Sequence, residues 1–109
     1  MSYKVKLTPH AIGQLKETIG YISKQLLVPD VALAWSNRLQ KEISGLDTLP
    51  LRYPLVENEP WKSYGIRKMP VENFIVYYLP EEETETVWVT AVVYGRRDQQ
   101  NALKDMPIK

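Results

Sequence analysis

The chain has 109 residues, of which 44% are apolar and 25% charged, with a formal net charge of +1. That is enough for one domain with a modest core and too little for two, so a single domain over residues 1–109 is expected. With no cysteine, a disulfide framework and thiol chemistry are excluded.

No apolar run reaches the about 20 residues that a membrane-spanning helix needs. The opening MSYKVKLTPH lacks the apolar core of a signal peptide. Together with the cysteine-free composition these features lead one to expect a cytoplasmic protein with no membrane partner. The near-neutral total hides a segregated charge pattern. Lys62, Arg67 and Lys68 outweigh Glu72, and Arg96, Arg97, Lys104 and Lys109 outweigh Asp98 and Asp105. Glu81, Glu82, Glu83 and Glu85 lie between these two basic segments.

Tyr3, Val5 and Leu7 alternate with Lys4 and Lys6, the period of a half-buried strand. Thr8-Pro9 then offers a capping hydroxyl and a proline suited to a first helical position. Ile12, Leu15, Ile19, Ile22 and Leu26 recur at spacings of three and four, which predicts the apolar face of a helix running to about residue 27. Pro29-Asp30 breaks it and starts a second helix, whose apolar face is Ala32, Trp35, Leu39, Ile43 and Leu46. So short a link makes the pair an antiparallel hairpin. Basic and acidic residues balance along it, so it is no obvious phosphate-binding surface.

Pro50, Pro54 and Pro60 mark a surface loop, with Trp61 expected to pin it to the body. Alternation from residue 63 to 69 predicts a strand stopped by Pro70. Residues 74–79 are apolar and aromatic throughout, as in a strand covered on both faces. The EEETE run makes a solvated turn. In the last strand Val87, Val89, Ala91 and Val93 are expected on one face, and Trp88, Thr90, Val92 and Tyr94 on the other. The predicted fold is α+β: an N-terminal strand, an antiparallel two-helix hairpin, then a three-stranded antiparallel meander. The meander completes one small sheet, with the helices on one face.

Most standard chemistry finds no residues here. His10 is the lone histidine, so a triad or a multi-histidine metal site lacks partners. No glycine loop is built to cradle phosphate. The acidic cluster reads as a turn, and no metal or other cofactor is expected. The basic residues remain. The second and fourth strands of a meander run the same way, so their ends can share a rim. There Arg67 or Lys68 would meet Arg96 or Arg97, with Tyr77 or Tyr78 between. Arginines beside an aromatic ring suit a phosphodiester, by bidentate hydrogen bonding and by base stacking.

The order of elements, the Pro-Asp break, the segment RYPLVENEPWKSYGIRKMPVENFIVYY and the closing VVYGRRD together resemble the RelE/ParE superfamily of toxins from bacterial type II toxin–antitoxin modules. The resemblance extends over about residues 3–103. It implies one of two activities. RelE-like members cut mRNA in the ribosome without metal, using basic residues and often a tyrosine or histidine. ParE-like members poison DNA gyrase and are not nucleases. The paired basic residues lean the reading toward ribosome-associated mRNA cleavage, with ParE-like gyrase inhibition as the alternative and an inactive, toxin-derived binding module as a further one.

Carried over by position, the resemblance assigns Arg67 and Arg96 to the ribonuclease pattern, with Tyr94 as the substitute for a tail tyrosine. Lys62, Lys68, Tyr78 and Arg97 are the expected contacts to nucleic acid or target. Phe74 stands where RelE-like nucleases place a further arginine, and Ala102 near their C-terminal tyrosine. In either case the resemblance implies a cognate antitoxin, forming a hetero-oligomer with the toxin and covering the basic patch with an acidic segment that folds on binding.

Overall fold

The computed structural model describes residues 2–24 and 29–94. In chain order these form β1 (Lys4–Leu7), α1 (Pro9–Lys24), α2 (Pro29–Ser44), two short 3-10 turns (Gly45–Asp47 and Pro50–Arg52), α3 (Trp61–Tyr64), β2 (Arg67–Val71), β3 (Phe74–Glu81) and β4 (Thr86–Tyr94). The four strands make one sheet in the order β1-β4-β3-β2. β1 lies parallel to β4, and the other two pairings are antiparallel. This is the α+β arrangement expected from the sequence.

Thr8, between the first strand and the first helix, caps the helix and ties it to β4 through three bonds. Its N–H donates to the Val89 carbonyl at 3.0 Å. Its Oγ1 accepts the Ala11 N–H at 3.2 Å, the bond of an N-cap, and donates to the Thr90 carbonyl at 3.4 Å. Gln14 adds a fourth tie from the next turn, its Oε1 accepting the Val92 N–H at 2.8 Å. These anchors fix the roll of α1 on β4. Ala11 is buried and Leu15 and Ile19 pack on the core, whereas Ile12 is 40% exposed. Of the expected stripe, Leu15 and Ile19 thus face the core and Ile12 departs from it; the side chains of Ile22 and Leu26 lie outside the described residues.

In α2 the expected face holds where it is described: Leu39, Ile43 and the following Leu46 are buried, and Trp35 packs against the same cluster, while the Ala32 side chain lies outside the described residues. That cluster fills the helix side of the sheet with Met69, Val71, Phe74, Val76, Tyr78, Val87, Val89 and Val92. A second cluster, Val56, Ile66, Tyr77, Ala91 and Val93, lies on the opposite side, where the half-buried Trp61 packs against it.

Two local expectations fail for identifiable reasons. Residues 63 and 64, expected as strand, belong to a helical turn over Trp61–Tyr64. The Glu59 carboxylate accepts both the Ser63 Oγ–H at 2.6 Å and the Ser63 N–H at 2.8 Å, which stabilises the turn and holds the Glu59 carboxyl below its ordinary pKa. Gly65, at φ 91, ends it in a conformation that favours glycine. Pro70 does not stop β2, because β2 is an edge strand. Lys68 donates its N–H outward to the Pro54 carbonyl at 3.1 Å, so position 70, two residues on, has no N–H duty toward β3.

The third difference matters most for the site. The β3–β4 register shifts between Tyr77 and Tyr78: Tyr78 pairs with Val89 but Tyr77 with Ala91. Thr90 is the extra residue of this bulge, and its hydroxyl donates to the Tyr77 carbonyl at 3.2 Å. The bulge inverts the alternation of β4. Val87 and Val89 face the helices, but beyond Thr90 it is Val92 and Tyr94 that do so, while Ala91 and Val93 face away. The simple alternation read from the sequence is thus correct only for the first half of the strand.

Candidate functional site

Arg67 opens β2 and stands opposite Tyr78 of β3. The half-buried guanidinium turns toward the loop after α2. Its Nη1 donates to the Tyr53 carbonyl at 2.6 Å and to the Leu51 carbonyl at 3.2 Å. Nε is buried without a hydrogen-bond partner among the described residues. Tyr78, fully buried, donates its hydroxyl to the Pro50 carbonyl at 2.6 Å. Two side chains of neighbouring strands thus collect three backbone carbonyls of residues 50–53, groups that a 3-10 turn leaves unpaired. Burial pushes the Tyr78 hydroxyl up to about 12, against a smaller opposing pull from the Arg67 charge. The hydroxyl is therefore a fixed donor at neutral pH.

Beside this clamp the chain exposes apolar groups. Leu49 occupies the left-handed region at φ 49 and, like Leu51, projects to solvent. The Arg52 guanidinium lies 5.2 Å from the ring centre of Tyr53.

Tyr94 ends β4 at the other rim. It pairs with Phe74, which pairs in turn with Val71 at the end of β2. The ends of β2 and β4 do share a rim, as expected from a meander. Arg67, however, lies at the far end of β2. Tyr78 and Phe74, the β3 partners of Arg67 and Tyr94, are separated by four residues, about 13 Å along the strand. Because the bulge turns Tyr94 to the helix side, its ring meets Phe74 at 5.2 Å and Trp35 of α2 at 5.7 Å. Trp35 and Phe74 complete the cluster edge-to-face at 6.0 Å. Phe74 is fully buried and Tyr94 half-buried.

The remaining expected contacts are dispersed. Lys68 is half-buried and pairs with Tyr77, on the sheet face away from the helices. Tyr77 is buried with its hydroxyl unpartnered among the described residues, and burial raises its pKa. Lys62 is exposed on α3. Arg96, Arg97 and Ala102 lie outside the described residues. Among those described, no three His, Asp or Glu side chains are grouped to hold a metal ion, and no helix is long and apolar enough to cross a membrane.

Sequence reasoning missed the clamp because it treated Arg67 and Tyr78 as groups aimed outward. One available signal was Pro50-Leu51-Arg52-Tyr53 itself, a short segment between prolines whose carbonyls need donors. The aromatic triad is legible only in part, since strand alternation groups Tyr94 with Trp88, Thr90 and Val92 and does not connect it with Trp35 or Phe74.

The fold is similar to those of solved toxin and toxin–antitoxin structures. A chromosomal ParDE system from P. aeruginosa matches 87% of this chain and 98% of its own, with TM-score 0.70 at 15% identity. The toxin–antitoxin complex RelBE2 from Mycobacterium tuberculosis matches 86% of this chain and 99% of its own, with TM-score 0.61 at 20% identity. A mutant of the E. coli toxin RelE in the free state matches 96% of this chain and 94% of its own, with TM-score 0.65 at 13% identity. No curated protein sequence matches significantly. The sequence profile of the ParE toxin of the type II toxin–antitoxin system, parDE, matches residues 5–99. The chain therefore belongs to the ParE toxin family of type II toxin–antitoxin systems, within the RelE/ParE superfamily.

Proposed function

We propose that this toxin is held inactive by a cognate antitoxin protein and that, once released, it arrests growth by binding and poisoning DNA gyrase. The observation that carries the choice of target is the clamp. Arg67 and Tyr78, two groups that a metal-independent ribonuclease would need free, direct their hydrogen bonds into the protein's own loop. Phe74, at the position where RelE-like nucleases carry a further arginine, is buried among Trp35 and Tyr94. An arginine whose Nη1 is committed to two backbone carbonyls is better suited to positioning a loop than to stabilising a passing transition state. Leu49, Leu51 and Arg52, exposed on that loop with Tyr53 half-buried beneath the guanidinium, suit contact with a protein target.

Ribosome-associated mRNA cleavage, toward which the paired basic residues leaned, retains one favourable observation. Tyr94 is half-exposed at the end of β4, two residues before Arg96. Induced expression without the antitoxin separates the readings, with plasmid topology and transcript ends followed in one culture. Supercoiling changes and DNA breaks support gyrase. Codon-register cuts with unchanged topology overturn it in favour of cleavage. Normal growth with folded protein present leaves only an inactive binding module.

A further inference from the structure

Two guanidinium groups converge on the turn at residues 50–53. Arg67 reaches it from β2, and Arg52 lies exposed on its outer side against the Tyr53 ring. Arg52 also reaches back over the preceding turn: its Nη2 lies 3.7 Å from the point where a side chain at Gly45 would begin. Burial raises the pKa of the Tyr78 hydroxyl, and the charges of Arg67 and Arg52 both oppose that rise, so the two cations share one neighbourhood. Neither makes an ion pair among the described residues. Two nearby carboxylates are engaged elsewhere. Asp47 accepts the Thr48 hydroxyl at 3.0 Å, and Glu59 accepts the Ser63 hydroxyl at 2.6 Å. Arg67 faces backbone carbonyls only, and its Nε is buried without a partner. The turn thus presents positive charge that no carboxylate of the described chain neutralises.

The setting of this charge is apolar and open. Leu49 is 69% and Leu51 47% exposed, on either side of the buried Pro50. A phosphate backbone is a poor occupant, because it offers nothing to two leucines, and Asp47 and Glu57, which flank the segment in the chain, oppose its continuous negative charge. A second copy in a two-fold contact sets Arg52 against Arg52. What fits is a protein surface carrying one carboxylate ringed by apolar side chains, since a guanidinium grips a carboxylate in bidentate fashion and the leucines exclude water around the pair. We infer that Leu49, Leu51 and Arg52 form the toxin's contact with gyrase, and that Arg52 pairs there with an Asp or Glu of gyrase. The inference rests on the gyrase reading above and names the residue on which recognition of that target turns. Arg67 does not touch the target in this arrangement; it holds the loop and adds positive potential behind Arg52.

The test titrates the purified full chain into a supercoiling reaction of intact gyrase with relaxed plasmid. Arg52→Glu should raise the concentration for half-inhibition about thirtyfold, and Leu49→Ser/Leu51→Ser about tenfold. Arg52→Lys keeps the charge without the planar fork and should raise it about fivefold. Lys41→Glu, at an exposed position of α2, makes the same change in net charge and should raise it less than about twofold. Among gyrase variants with one exposed Asp or Glu changed to Lys, one should restore inhibition by the Arg52→Glu chain and weaken inhibition by the unaltered chain. Equal inhibition by the unaltered, Arg52→Glu and leucine-variant chains overturns the proposal. So does an equal loss from Lys41→Glu, which assigns the effect to net charge. Retained gyrase inhibition by Arg52→Glu with lost binding to a short DNA duplex also overturns it and assigns the surface to nucleic acid. Should Arg52→Glu speed hydrogen exchange at residues 51–56, the leucine variant carries the test, and its unimpaired inhibition overturns the proposal. Inhibition by the unaltered chain that both site variants match sinks this proposal alone, whereas an unaltered chain without effect on gyrase sinks the functional reading beneath it.

Discussion

Arg67 and Tyr78 face each other across the β2–β3 ladder and bind the same loop, the first through the Leu51 and Tyr53 carbonyls and the second through that of Pro50. The loop that follows the helix hairpin is thereby held to the sheet by side chains, in a stretch where backbone pairing is sparse.

Removing either donor should therefore cost stability before it costs chemistry. Tyr78→Phe keeps the ring and leaves the Pro50 carbonyl buried without its donor, so unfolding free energy should fall by about 1–2 kcal/mol in urea titrations. Growth arrest should persist at temperatures where the variant is folded. A variant of unchanged stability that no longer arrests growth would show that Tyr78 acts on the target instead.

Arg67→Lys should be worse than its charge conservation suggests. Both bonds leave one terminal nitrogen, Nη1, which the side chain of lysine, one atom shorter, does not carry to the same point, and a loss of about 1–2 kcal/mol is expected. Faster hydrogen exchange at residues 51–56 would locate the loss in the loop; uniform destabilisation with a still-protected loop would contradict the clamp.

The buried hydroxyls also set a pH dependence. Burial raises the pKa of Tyr78 to about 12 and that of Tyr77 in the same direction, from an ordinary value near 10. The unfolded chain releases these protons first, so their contribution is complete below about pH 10 and is lost as pH rises toward 12. Stability measured from pH 9 to 12 should fall, and Tyr78→Phe should flatten the fall. A fall of the same slope in that variant would assign the effect to other groups.

Tyr94 offers a direct separation of the two mechanisms. Tyr94→Phe keeps the ring stack with Trp35 and Phe74 and removes the hydroxyl. Stability should change by less than about 1 kcal/mol and growth arrest should be unaffected if gyrase is the target. Loss of arrest in a stable Tyr94→Phe chain would support a tyrosine-dependent cleavage.

Much of this architecture is written in periodicity. The alternation at Tyr3, Val5 and Leu7, the Thr8 cap and the Leu39-Ile43-Leu46 stripe were legible because each depends on a local pattern. What was not legible depends on partners distant in the chain. The exposure of Ile12 follows from Thr8 and Gln14 bonding to β4, 82 and 78 positions away along the chain. The bulge at Thr90 has no signature in a run of β-formers, yet it decides that Tyr94 faces the helices. Arg67 looked like a rim charge because alternation reveals a face and not a loop that returns to cover it. For the site, the sequence located basic and aromatic residues on β2, β3 and β4, but which of them serve the fold depended on residues 50–53.

The central claim is that this toxin acts on gyrase. It is tested most directly by titrating the purified chain into a supercoiling reaction of gyrase with relaxed plasmid, beside a translating ribosome reaction supplied with the same protein. A toxin that acts on gyrase abolishes supercoiling, accumulates protein-linked DNA breaks and leaves mRNA intact. Unimpaired supercoiling together with mRNA cut on the ribosome would contradict it.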